Sequence, residues 1–342
     1  MTKSMWIALF ILMLLFAACG VFIVFLQKDE DQKSIRYFLA AHKINNALSY
    51  QEAALSVSDT AVLKNVSLKL HVLHELNNKI GRFSIHRYKE TSHIPSFVSF
   101  TAKDISFSLI EAAQKLKEPE ENIIDTLADF DPTTGILSHP LYALLLAGCD
   151  RISADVSGEY AYLPDKKRMT LKTKISDQCL GIWDAEISLG NISNAQQGQF
   201  VLALQHFLRK GDTFKNLQNF LKNATVTNFS LTYTDTELVK GYKRYIDTLY
   251  LRLPGTASPA VPDTNGIQKI VSYLSLSNAH RQRNTDVAQT LTRFIKEPQT
   301  IRFQSKKGKQ VSLNVLGGTF LRQLTDLLLR LDTSVAVENT TP

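Results

Sequence analysis

Apolar and polar residues alternate with period two in several stretches of the chain, a spacing that puts every second side chain on one face of an extended strand. Val66, Leu68, Leu70 and Val72 alternate with Ser67, Lys69 and His71, and Gly81, Phe83 and Ile85 with Arg82, Ser84 and His86. Ile105, Phe107 and Leu109 alternate with Ser106 and Ser108. The pattern is clearest further on, where three runs follow one another. Ile152, Ala154, Val156, Tyr160 and Tyr162 share a face, as do Met169, Leu171, Thr173 and Ile175, and then Trp183, Ala185, Ile187 and Leu189. These predict a three-stranded antiparallel meander whose first turn is Pro164-Asp165-Lys166-Lys167. Its charged opposite face confines any cover, helix or membrane, to the apolar side.

Between these runs the period changes. A helical pattern extends from Ile110 to about Phe130, broken by Pro119, and Asp131 to Gly135 reads as a turn. Two helices are expected between Asn194 and Leu221, then a strand over Thr225 to Tyr233 with Phe229, Leu231 and Tyr233 inward, then a helix from Thr236 to Leu251. The Pro- and Gly-rich stretch from Pro254 to Pro262 is a loop or linker. Helices follow near Ile267 to Leu276 and over Asp286 to Lys296. A hairpin then pairs Thr300 to Gln304 with Gln310 to Leu316 across Lys306-Lys307-Gly308-Lys309, and a helix from Thr319 to Leu331 closes the domain.

The first residues belong to a different solvent. From Trp6 to Leu26 there is no charge, and at 1.5 Å per residue the segment is about 31 Å long, close to the hydrocarbon thickness of a bilayer. It is too long for a cleaved signal, and a break after Ala18-Cys19-Gly20 would expose Val21 to Phe25. The same continuing apolar run argues against lipidation of Cys19, since a lipidated Cys is followed by a polar tether. With only five residues before it, the segment reads as a signal anchor that keeps the N-terminus in the cytoplasm. The expected organisation is a tail (1–5), a transmembrane anchor (6–26), an extracytoplasmic domain (27–253), a loop (254–266), the C-terminal helix-hairpin-helix part of that domain (267–331) and a disordered tail (332–342). The fold class is α+β: antiparallel β-meanders with one face covered by amphipathic helices, on a single N-terminal transmembrane helix.

Composition agrees with one span and a water-soluble remainder: 342 residues, 44% hydrophobic and 21% charged, with a mean hydropathy of -0.08. The net charge of +7 favours anionic partners, and Lys306, Lys307 and Lys309 at the expected hairpin tip are the candidate contact with lipid headgroups or an acidic protein. No nucleic-acid signature accompanies the charge. Of the three cysteines, Cys149 and Cys179 lie outside the anchor. Folding the meander so that Tyr162 faces Met169 and Val156 faces Ile175 sets Cys179 opposite Ile152, with Cys149 a few residues along, so a disulfide is expected. Such a bond implies an oxidising compartment.

Catalytic and ligand motifs contribute little. His71 and His74, with Glu75, lack the spacing of a zinc helix and would face opposite ways on a strand. Asp129 and Asp131 precede Pro132 and read as a turn. Nucleophile elbows, dinucleotide fingerprints, phosphate loops and calcium loops are lacking, so no cofactor, metal or catalytic residue is assigned. The sequons at Asn65, Asn191, Asn223, Asn228 and Asn339 suit the abundance of Asn, Ser and Thr.

The stretch FSLTYTDTELVKGYKRY, followed by LTRFIKEPQTIRFQSKKGKQVSLNVLGG, resembles a strand-helix-hairpin unit of uncharacterised, signal-anchored envelope proteins of Gram-negative bacteria. GEYAYLPDKKRMTLKTKISDQCLGIWDAEISLGNIS is similar in layout to the same group. The resemblance implies the inner membrane, with the domain in the periplasm, and carries over no catalytic residues. Two classes of function follow: a non-enzymatic envelope protein that handles a hydrophobic ligand or assists assembly, with lipid or another envelope protein as partner; or an envelope hydrolase with dispersed catalytic residues. A structural subunit of a membrane complex is the third.

Overall fold

Period-two sequence becomes sheet almost throughout what the computed structural model describes, residues 48–55, 61–68, 79–91, 94–111, 144–145, 147–200, 224–241, 281–313, 327–328 and 330–338. The strands are β1 Leu48–Ser49, β2 Glu52–Leu55, β3 Ala61–Leu68, β4 Lys79–Thr91, β5 Ile94–Ser108, β6 Arg151–Leu163, β7 Arg168–Asp177, β8 Gly181–Gly190, β9 Thr225–Thr234, β10 Thr300–Gln304, β11 Val311–Ser312 and β12 Ser334–Glu338. They form one antiparallel sheet in the order β1-β3-β4-β5-β6-β7-β8-β9-β10-β12, with β2 beside β3 and β11 beside β9. The anchor at 6–26, the turn at 131–135, the loop at 254–266, the helix near 267–276 and His71, His74, Asp129 and Asp131 lie outside the described residues, as does most of the other expected helical sequence. Among the described residues no helix is long and apolar enough to cross a membrane.

The central meander has the register its apolar faces require. Tyr162 pairs with Met169 and Val156 with Ile175, and β6 is buried at every second position from Ile152 to Tyr162. Pro164–Lys166 forms a 3-10 turn closed by Lys167 in the left-handed region, φ 46°. A capping box starts the helix at 194–200: Gln196 N donates to Ser193 Oγ and Ser193 N to Gln196 Oε1. Two tyrosines pin this helix to the buried face. Tyr162 donates to the Ile192 carbonyl at 3.0 Å and to Asn194 Oδ1 at 2.8 Å, and Gln197 Nε2 donates to the Tyr160 hydroxyl at 2.7 Å.

Along β3, β4 and β5 simple alternation fails. Leu63 and Val66 are both buried, as are Phe83 and Ile80, and Ala102 and the partly buried Ile105 follow suit; each pair is three residues apart. An odd step reverses the face in a regular strand, so each strand must carry an irregularity. They lie side by side: Asn65 (φ 51°) and Asp104 (φ 57°) are left-handed, and Gly81 stands between them. A Cβ on Gly81 would come within 2.9 Å of the Asp104 Cβ. Gly81, expected to share a face with Phe83, is therefore displaced from it, and Ile80 takes the inward place.

Two further expectations are corrected at the other end. Thr300–Gln304 and the segment after Lys309 make no hairpin. Both pair with β9, Gln304 opposite Ser230 and Val311 opposite Val226, so they are two pieces of one interrupted strand. Ser305 continues the pairing through Phe229: its N–H donates to the Phe229 carbonyl and its hydroxyl accepts the Phe229 N–H. On its other side β10 pairs with β12, Phe303 opposite Val335 and Ile301 opposite Val337. Residues 334–338 of the segment expected to be disordered are thus a strand.

Candidate functional site

Cys149 and Cys179, predicted to pair, are joined with their Cα atoms 5.8 Å apart. The bond ties the chain just before β6 to the turn between β7 and β8. Asp177 organises that turn: one carboxylate oxygen accepts the N–H groups of Cys179 and Leu180 at 2.8 and 2.7 Å, the other that of Ser153 at 2.7 Å. The Thr236 hydroxyl donates to the Gln178 carbonyl at 2.6 Å. Gly241, in the helical turn at 238–241, packs so closely on the Ala147 carbonyl that no side chain fits between them.

The other predicted contact is spread differently. Lys306 Nζ lies 3.4 Å from Asp332 and its N–H donates to the Leu331 carbonyl, whereas Lys307 and Lys309 are exposed beside Gly308 (φ 85°). They mark the point where the interrupted strand leaves the sheet.

The described apolar face divides into two clusters. The larger extends from Leu63 on β3 to Leu189 on β8 and Val226 on β9, and the smaller is Tyr233, Phe294 and Ile301, with Phe303, Val335 and Val337 packed against it. Ala185 and Leu231 face the same side and belong to neither. They lie in one lateral row, Gly158–Thr173–Ala185–Leu231–Phe303–Val335, in which each residue pairs with the next on the neighbouring strand. Small side chains occupy its first half. Bulky ones flank it: Val156, Ile175, Trp183, Tyr233 and Ile301 on one side, Tyr160, Leu171, Ile187 and Phe229 on the other. From Gly158 to Ala185 the row is therefore a shallow trough, whereas from Leu231 to Val335 its side chains are as large as those beside them.

Cover over that floor is uneven. Gly158 and Thr173 are buried, whereas Ala185, Ile187, Phe229, Leu231, Phe303, Val335 and Val337 are only partly buried. Trp183 forms the wall, its ring 4.3 Å from that of Tyr233 and its Nε1 donating to the Leu180 carbonyl at 2.8 Å. Tyr233 meets Phe294 edge-on at 5.9 Å, which seats the helix Arg281–Lys296 against the smaller cluster. Burial raises the pKa of Tyr233, and its hydrogen bond to Asp235 and the carboxylate charge add to the rise. Burial likewise raises that of Tyr160, against the opposing hydrogen bond from Gln197.

Chemically this is a weakly polar surface half open to solvent, with few groups able to move a proton. Among the described residues no cluster of His, Cys, Asp and Glu is placed to hold a metal ion. His86, the described histidine, lies on the outer face within 3.0 Å of the Thr101 hydroxyl. The Phe303 and Val335 end of the row is hidden in the sequence because the pairing of β10 with β12 joins segments separated by residues 305–333. The small-residue lane had one visible sign, the inward position of Gly158 between Val156 and Tyr160. No family model matches the chain, and no curated protein is similar to it in sequence.

Proposed function

We propose that this is a single-pass envelope protein of the inner membrane, anchored by residues 6–26, whose periplasmic domain handles a hydrophobic ligand without catalysing its conversion. The observation that carries the proposal is the partly uncovered row Ala185–Leu231–Phe303–Val335 beside Trp183. Water gains nothing from such a surface, and burying it under an acyl chain returns about 25 cal/mol per Å² of apolar area. Amphipathic helices over one face of the sheet complete the expected architecture. The disulfide supports the periplasm, since such bonds persist in oxidising compartments.

Trp183 supplies the test. The chain has two tryptophans, and Trp6→Phe leaves Trp183 as the reporter. A fatty acid brominated on its acyl chain should quench Trp183 saturably, and Ala185→Phe, which fills the trough floor, should weaken that quenching at least ten-fold. Unquenched Trp183 emission, or quenching indifferent to Ala185→Phe, would remove the ligand site. Release of a chemically altered acyl product would instead favour the hydrolase.

A further inference from the structure

The outer face of the sheet is not evenly charged. On the central strands Arg151, Arg168, Lys172 and Lys174 are balanced by Asp155, Glu159, Asp184 and Glu186, and Lys172 lies 3.8 Å from both Glu159 and Glu186. On β3, β4 and β5 the described side chains of Lys64, Lys79, Arg82, Arg87, Lys89 and Lys103 are accompanied by Asp104, and Asp155 of β6 accepts the Asp104 N–H at 3.0 Å beside them. Glu52, on the neighbouring β2, reaches Lys64 at 2.7 Å.

Three of these cations stand abreast. Lys64 pairs with Arg82 and Arg82 with Lys103, so like charges occupy directly opposed positions on three adjacent strands. Such an arrangement is repulsive in water. The irregularities at Asn65, Gly81 and Asp104 hold it in place, because they turn two successive residues of each strand outward. The Arg82 Nε donates to the Ser84 hydroxyl at 3.3 Å, and all three cations are exposed.

This patch lies at the β1 edge, where residues 27 to 47 connect the sheet to the expected anchor. A chain of that length spans at most about 75 Å, so the edge is tethered to the bilayer and a weak surface attraction becomes intramolecular. We propose that the outer face of β3, β4 and β5 lies against the anionic phospholipid headgroups of the membrane that holds the anchor. The proposal rests on the anchor in the function given above. It concerns the opposite end of the sheet from the Lys306-Lys307-Gly308-Lys309 turn.

The test uses the full chain in nanodiscs of phosphatidylcholine, with and without phosphatidylglycerol, and measures amine labelling of individual lysines by mass spectrometry. Co-elution with the nanodisc reports on the anchor, and labelling reports on the face. In anionic discs Lys64, Lys79, Lys89 and Lys103 should label several-fold more slowly than in neutral discs and recover in high salt, while Lys172 and Lys174 remain unchanged. Each neutralised cation near an anionic surface weakens attraction about five-fold, so K64Q/R82Q/K103Q should weaken docking about a hundred-fold and release Lys79 and Lys89. Equal labelling in both discs despite co-elution overturns the proposal alone. Protection by inorganic phosphate in neutral discs to the same degree reassigns the patch to a small free anion and also overturns it. A chain that does not co-elute with the discs overturns both the docking and the anchor.

Discussion

Reducing the Cys149–Cys179 bond should cost the domain about 3 to 4 kcal/mol. The bond spans 30 residues of sequence. In the chain-entropy model a loop of that size removes about 12 cal/mol/K from the unfolded ensemble, or about 3.6 kcal/mol at 25 °C. The native side should change little, because the corner has other fastenings. Asp177 accepts three backbone N–H groups, Thr236 holds the Gln178 carbonyl, and β6 and β7 stay paired as far as Ala154 and Asp177. Reduction truncates neither side chain, so it avoids the cavity that Cys→Ala would leave at Cys149, which is only 1% exposed. The measurement is urea unfolding of the full chain in mild detergent with and without dithiothreitol, followed by Trp183 fluorescence in the Trp6→Phe background. Reduction should also steepen the denaturant dependence, since the uncrosslinked unfolded chain exposes more surface. A difference below about 1 kcal/mol would show that loop closure in the unfolded state is not what the bond contributes. Three free thiols in the unreduced, denatured full chain, instead of the one at Cys19, would refute the bond itself.

Alkaline pH offers a second measurement. Tyr160 and Tyr233 are held protonated in the fold above the ordinary phenol value of 10.0, while the unfolded chain ionises there, so their contribution to stability is flat below about pH 10 and falls above it. The slope should approach about 1.4 kcal/mol per pH unit for each tyrosine, and Tyr160→Phe should remove one such contribution in denaturant melts taken from pH 9 to 11.5. Gly181→Ala should destabilise by about 2 to 4 kcal/mol, because φ is 84° there and a Cβ would strike the Thr234 carbonyl and the Tyr233 ring; a thermal melt unchanged within error would contradict it. Protease added to intact spheroplasts should digest the domain beyond about Gln27, and full protection until the membrane is ruptured would place the domain in the cytoplasm.

Legibility in the sequence followed how far each residue's environment is local. The β6-β7-β8 meander was readable, and its β6-β7 pair down to the register, because alternation, a Pro-Asp turn and matched apolar faces are all set by neighbours along the chain. The inward set Phe229, Leu231 and Tyr233 was readable for the same reason. Gly81 misled because its displacement depends on left-handed residues in two flanking strands, and Asn65 and Asp104 carry no mark of that in a linear reading. The partners of β10 were hidden since β12 is a short strand that follows a helix-forming segment, and its Val335 and Val337 alternate over too few positions to stand out. The disulfide was inferable from register, whereas the open row depends on pairing between β9, β10 and β12 and on cover that no single stretch reveals.

Strand order from β3 to β9 follows chain order without a crossover. A chain made from its N-terminus can therefore assemble this sheet as a growing front: each new hairpin finds its partner already in place, and no early strand waits for a late one. Among the described residues the sheet runs from β1 to β12 without closing on itself, so the number of these strands is not fixed by geometry as it is in a barrel. Such a sheet tolerates gain or loss of a hairpin at the level of the gene with disturbance confined to two seams. The late strands β10 and β12 carry the exception, for they add to the front only after residues 235–299 have been made, and the rate at which the last edge is sealed should depend on the length of that connection more than on the strands themselves.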